Sequence, residues 1–214
     1  MDGIDVLGLQ LATSCKLVTE KVAEAEPYWT RRGFAGASLP GFIVWHCARI
    51  IDWGVNTVVR DVPELAAQPE WRERVHYAMG HGAGLTEAQA DELAAAVQPQ
   101  DVIDYAAALR EEIRGWLSET TAAELDAVPD LRARNQDHPL YRTPEAWEEI
   151  KWLEGIPAWH FLTRPTISHI RVHSGELDTL LQLFRSTGAV ETATPDGAEV
   201  VGVRRDAGRV EAGR

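Results

Sequence analysis

The sequence predicts an all-α protein, a four-helix bundle with long connections, and three observations carry that reading. Apolar residues recur at three- and four-residue steps through four long windows. Glycine and proline fall mostly between those windows, and almost nothing alternates with the two-residue period of a strand. The chain has 214 residues, 45% of them hydrophobic and 25% charged, enough for a substantial core in one domain. Residues 1–186 are assigned to the bundle and 187–214 to a C-terminal tail.

The first helix is predicted over residues 4–25, with Ile4, Leu7, Leu11, Cys15, Val18 and Val22 on one stripe. Cys15 reads there as a small buried hydrophobe. The second is predicted over residues 38–59, opened by Ser38 as cap and Pro40 in the first turn. Its inward face is Phe42, Ile43, His46, Ile50, Trp53 and Thr57, which puts an imidazole among large apolar groups. Cys47 lies about 100° around the helix from His46 and is not expected to share its surroundings. Asp52 falls off the stripe and is expected to be solvated or to support a ligand from behind.

Residues 60–100 form the first long connection. Gly80-His81-Gly82-Ala83-Gly84 lacks the Lys-Ser/Thr of a phosphate-binding loop and is expected to be a flexible loop, with His76 and His81 exposed. Thr86-Glu87-Ala88-Gln89 has the form of a capping box and opens a short helix to about residue 97. Asp101 is expected to cap the third long helix, residues 101–120, whose stripe is Val102, Tyr105, Leu109, Ile113 and Trp116. Residues 121–155 form a second connection, with His138 on its surface and a short helix opened by Thr143-Pro144-Glu145. Its length suggests that it covers one end of the bundle. The last helix is predicted over residues 157–185, kinked or restarted at Pro165. Beyond it, residues 190–194 and 199–203 flank Pro195-Asp196-Gly197, a short hairpin or a mobile tail.

Composition excludes several functions. A net charge of −12 without a basic stripe argues against nucleic acid. There is no apolar run long enough for a membrane span and no signal-peptide layout at residues 1–16, so a cytoplasmic protein is expected. Two cysteines do not make a disulfide framework. Eight tryptophans are many for this length and can line a ligand pocket as well as a core.

The chemistry concentrates in His169-Ile170-Arg171-Val172-His173-Ser174-Gly175-Glu176. Histidines four apart share a helix face, with Cβ atoms about 5–6 Å apart, and can converge on one metal. Chance alone gives about 0.2 such pairs for a chain with this histidine content, so the spacing does not decide the matter. Position adds to it. His46, His169 and His173 all fall on inward-facing surfaces, where an unpaired polar group costs a few kcal/mol (about 2–7) and one metal satisfies three imidazoles. The opposing reading has each histidine bonded separately to backbone or carboxylate.

The motif His169-x-x-x-His173-x-Gly175-Glu176, with an inward His46 on the second helix, resembles the DinB-like superfamily of metal-binding four-helix bundles. The stretch from Gly80 to Thr86 is similar to a turn found before the third helix in that family, and the resemblance covers about residues 4–186. It implies a metal held by His46, His169 and His173, with Glu176 supporting a ligand from behind. Zinc or nickel suits such a site, as does iron. Relatives include transferases that use mycothiol or bacillithiol, which implies thiol S-transfer on a small-molecule substrate. The aromatic residues near the histidines in sequence, Trp45, Trp53 or Trp159, are expected to line its pocket. The mycothiol-dependent isomerase type carries Glu where this chain has His169. An iron site of the ergothioneine-synthase type is also similar in outline. Hydrolysis or isomerisation without a thiol, and a non-catalytic metal or ligand binder, are the alternative expectations. A homodimer is implied by the resemblance alone.

Overall fold

The structure, a computed structural model, describes residues 2–191, with side chains described through residue 187. Helix α1, Gly3–Ala25, is opened by a reciprocal capping box between Asp2 and Asp5. Its buried stripe is Leu7, Leu11, Cys15, Val18 and Val22, as periodicity requires. Helix α2, Pro40–Asp52, runs on into a π-helical segment, Trp53–Arg60. The residue before its first turn is Leu39, which gives no side-chain cap, so Ser38 does not have the expected role. Proline at the first position sets the backbone there without a cap.

Short pieces follow: α3, Pro69–Arg72, and α4, Glu87–Ala96, whose Thr86–Gln89 capping box forms as read. Helix α5, Pro99–Leu117, starts two residues before Asp101, which therefore lies in the first turn and not at the cap; Gln98 stands there. The second connection holds α6, Ala122–Asp126, α7, Leu131–Gln136, and α8, Pro144–Ile150. The last long element is α9, Ala158–Leu162, a π segment, Thr163–Ser168, and α10, His169–Glu191. Pro165 lies inside the π segment. Its missing N–H and ring clash would break a tight α turn, and the wider turn accommodates both.

Helix α1 packs on α5, α10 and α2, while α2 also meets α4, α5 and α10. Helix α2 is central and buried on nearly every side, from Ile43 to Asp52. The two π segments touch where Gly54 lies under Thr166; a Cβ at Gly54 would come 2.7 Å from the Thr166 methyl. No helix among the described residues is long and apolar enough to cross a membrane. Helix α10 continues through residue 190 to Glu191, and the rest of the expected hairpin lies outside the described residues.

Two expectations fail in one place. Asp52 is fully buried and bonded to protein groups, not solvated. His81 is 2% exposed, in a packed turn. Gly80 and Gly82 have φ of 59° and 97°, and a Cβ on either would come within about 3 Å of Tyr141 or of Phe42 and Trp45. Glycine meets both demands at once. His138 is half-buried and stacked on Tyr141 at 4.6 Å, and His76 is likewise only half-exposed.

Candidate metal centre

Helix α2 presents His46, and the first turn and a half of α10 presents His169 and His173. Their ligand atoms all lie within 4.8 Å of one another, and among the described residues this is the one such cluster. The Nε2 atoms of His46 and His169 are 3.0 Å apart, and those of His173 and His169 are 3.1 Å apart.

The opposite edges of two rings fix their protons. Nδ1 of His46 faces the backbone carbonyl of His81, and a carbonyl oxygen only accepts. The proton must be on Nδ1, which leaves a lone pair on Nε2. Nδ1 of His173 lies 2.8 Å from the Glu176 carboxylate, with the same consequence. His169 can donate its Nε2 proton to one neighbour at most. At least one contact in the cluster therefore has no proton directed into it and leaves a ring lone pair unmet.

A cation meets that lone pair. For metal–nitrogen bonds of about 2.05 Å, two ligand nitrogens are about 2.9 Å apart at a right angle and about 3.3 Å apart at the tetrahedral angle. The observed 3.0 and 3.1 Å fall between. The residues can hold a metal ion. Burial, then the neighbouring imidazoles, hold His46 well below the ordinary histidine range. Burial, then His173, pulls His169 down to about 4. These rings stay neutral near pH 7, the state a metal ligand needs.

Two of the three histidines, His46 and His169, line a cavity of about 280 Å³ together with Trp53 and His81, while His173 does not reach its wall. The second connection closes part of it with Ile150, Trp152 and Leu153, so it does cover this end of the bundle. Of the three tryptophans read as pocket residues, the structure brings only Trp53 to this cavity. Trp45 is buried behind the glycine turn, with its indole N–H donating to the Val75 carbonyl at 2.8 Å. Trp159 lines a larger, separate hollow of about 590 Å³ with Leu7 and Leu125. Cys47 is buried and its thiol is pushed up by that burial. Glu176 meets the back of His173.

Sequence reasoning missed what lies behind His46. Arg49 donates from Nε to the Gly80 carbonyl at 2.9 Å and from Nη1 to the Tyr105 hydroxyl at 2.9 Å. Its Nη2 lies 2.6 Å from Glu64 Oε2, an ionic contact whose geometry falls short of a hydrogen bond. Asp52 accepts from Asn56, from Tyr105 and from the backbone N–H groups of Leu65 and Ala66. Glu64 accepts from Thr57 and Tyr141. One helix therefore grips two successive carbonyls, Gly80 through Arg49 and His81 through His46. The signal was present as Arg49, Asp52 and Asn56 at helical spacing inside an otherwise apolar stretch.

His81 was missed too. Both of its ring nitrogens are buried without a partner, and its ring stacks on Tyr141 at 4.9 Å. Burial, then Arg49, lowers it to about 3. No family model matches the chain, nor does any curated protein or solved structure.

Proposed function

We propose that the protein is a metal-dependent enzyme of the DinB-like type, in which His46, His169 and His173 hold a divalent zinc, nickel or iron ion and a low-molecular-weight thiol such as mycothiol or bacillithiol reacts with a small electrophile. The observation that carries this is the set of Nε2 atoms 3.0 and 3.1 Å apart, two of them held as lone pairs by acceptors behind the rings. Three imidazoles on one side leave coordination positions open, which suits catalysis better than a purely structural site. When bound, the metal supplies a Lewis acid that lowers the pKa of a thiol or water placed on it.

The chain's own groups have simpler tasks. The His81 carbonyl and Glu176 orient two ligands, and Trp53, Ile150 and Leu153 supply the apolar part of the cavity wall. Neither cysteine can serve as the reacting thiol. Cys15 is buried, with its thiol pushed up to about 12, and Cys47 is buried as well. A thiol reaction therefore calls for a thiol from outside. The same reading implies a cytoplasmic homodimer, and light scattering of the untagged chain tests the second part.

Elemental analysis of untagged protein should find about one transition-metal ion per chain. The triple variant His46→Ala, His169→Ala, His173→Ala should lose it with helix content retained. Full metal retention in that variant would overturn the site. A cobalt-loaded sample titrated with thiols should develop a thiolate-to-metal absorption band. Its absence at saturating thiol, with metal still bound, would favour hydrolysis or isomerisation over thiol chemistry. A screen of electrophiles and esters without metal-dependent turnover would leave a binding protein.

A further inference from the structure

The cavity beside the triad carries two charges of opposite sign that do not meet. Glu149, near the end of α8, and Arg164, in the π segment before α10, both line it. Among the described hydrogen bonds to or from side chains, each takes part through its backbone carbonyl. The Glu149 carbonyl accepts from the Trp152 indole at 2.8 Å, and the Arg164 carbonyl accepts from the Ser168 hydroxyl at 2.9 Å. Neither side chain has a partner among the described ion pairs, although Glu148 beside Glu149 pairs with Lys151. Glu149 and Arg164 are thus more than 4 Å apart while facing one space. Burial alone raises the Glu149 carboxyl, and no cation acts on it in the opposite sense.

A simple anion at Arg164 would be opposed by Glu149, and a simple cation at Glu149 would be opposed by Arg164. A molecule bearing both charges avoids both conflicts. The volume of about 280 Å³ corresponds to about nine waters at roughly 30 Å³ each, which suits a molecule the size of an amino acid. We propose that this cavity binds a small zwitterion of the α-amino-acid type, with its carboxylate on Arg164, its ammonium on Glu149 and its side chain turned toward His46 and His169, where the metal would be held. A guanidinium holds a carboxylate in a two-pronged, charge-assisted contact, which makes Arg164 the stronger anchor. Only the last clause of the proposal rests on the metal reading; the two charge contacts do not.

The test uses binding, read by calorimetry and by the fluorescence of Trp53 and Trp152 in the cavity wall. On the metal-loaded protein, L-cysteine should bind at least about tenfold more tightly than cysteamine, which lacks the carboxylate, or 3-mercaptopropionate, which lacks the ammonium. Arg164→Gln should bring L-cysteine down to the level of cysteamine. Glu149→Gln should bring it down to the level of 3-mercaptopropionate. Both variants should keep the metal content and thermal midpoint of the parent, since both side chains are exposed. Metal-free protein should still prefer L-alanine to ethylamine and propionate. If that preference holds but thiol binding ignores the metal, the metal reading fails and the zwitterion site stands. Equal binding of all three thiols, or an unchanged ranking in both variants, overturns the zwitterion site.

Discussion

Two polar clusters sit one turn apart on α2, and they are built in opposite ways. The Arg49 cluster is fully buried, yet guanidinium, carboxylates, phenols and backbone N–H groups meet as donor and acceptor. The histidine cluster is only half-buried, yet it leaves a ring lone pair unmet. Burial alone would single out Arg49 as the unusual site. Satisfaction gives the opposite ranking: the closed cluster is scaffold, and the open one can hold a cation. The two are joined, because Arg49 and His46 hold neighbouring carbonyls of the same turn.

The sharpest way to break this contrast is to remove one member from each cluster. Arg49→Met strands Asp52 and Glu64 as buried carboxylates, and losing one partner of a buried ion pair costs about 3–5 kcal/mol. Urea denaturation of the metal-free protein should show a loss of that size. His169→Ala in the same metal-free background should change stability by only about 1 kcal/mol, since it also removes a contact with no proton directed into it. Comparable losses in the two variants would erase the distinction between scaffold and site.

A smaller effect comes from His81, which joins the two clusters. Folded, it is held to about 3; unfolded, a histidine titrates near 6.5, about the value of a free imidazole. Between those values the unfolded chain binds a proton that the folded chain refuses. Stability is therefore complete above the unfolded value and falls as pH drops toward 3, by at most about 1.4 kcal/mol per pH unit from this group. His169, held to about 4, acts with the same sign over a narrower window. Urea midpoints of metal-free protein at pH 7 and pH 5 should show the fall, and His81→Leu should reduce its slope without abolishing it, since His169 and His46 act in the same sense. An unchanged slope in His81→Leu would mean that this imidazole is charged or solvated in the folded chain.

The long helices and the convergence of three histidines were legible in the sequence because each depends on local periodicity. A stripe at three- and four-residue steps reports which face of a helix is inward, and His46 lies on such a face. The Arg49 cluster was not legible because its partners Glu64, Tyr105 and Tyr141 come from three other segments, and charge by itself suggests solvent. The exposure expected of His81 failed because the glycines that bury it look, in sequence, like those of a loose loop. Trp45 was misplaced by its position one residue from His46, about 100° away on the helix. Trp159 was misplaced by the π segment at Thr163–Ser168, whose wider turns shift the phase between α9 and α10.

The finest test concerns the acceptor behind His173. Glu176 contributes two things: an oxygen 2.8 Å from Nδ1, which fixes the tautomer, and a negative charge, which makes the ring a better donor to a cation. Glu176→Gln keeps an acceptor and removes the charge; Glu176→Ala removes both. Loss of such a supporting group typically weakens metal binding by about 10–100-fold, or about 1.4–2.7 kcal/mol. The Gln variant should fall near the lower figure and the Ala variant near the upper one in a chelator competition. The side chain is 39% exposed, so water can replace part of what is lost, which is why this is the smallest of the expected effects. Equal affinity in both variants and the parent would show that Glu176 does not set the proton on His173. His46, with its backbone acceptor, would then be the only ligand held ready from behind.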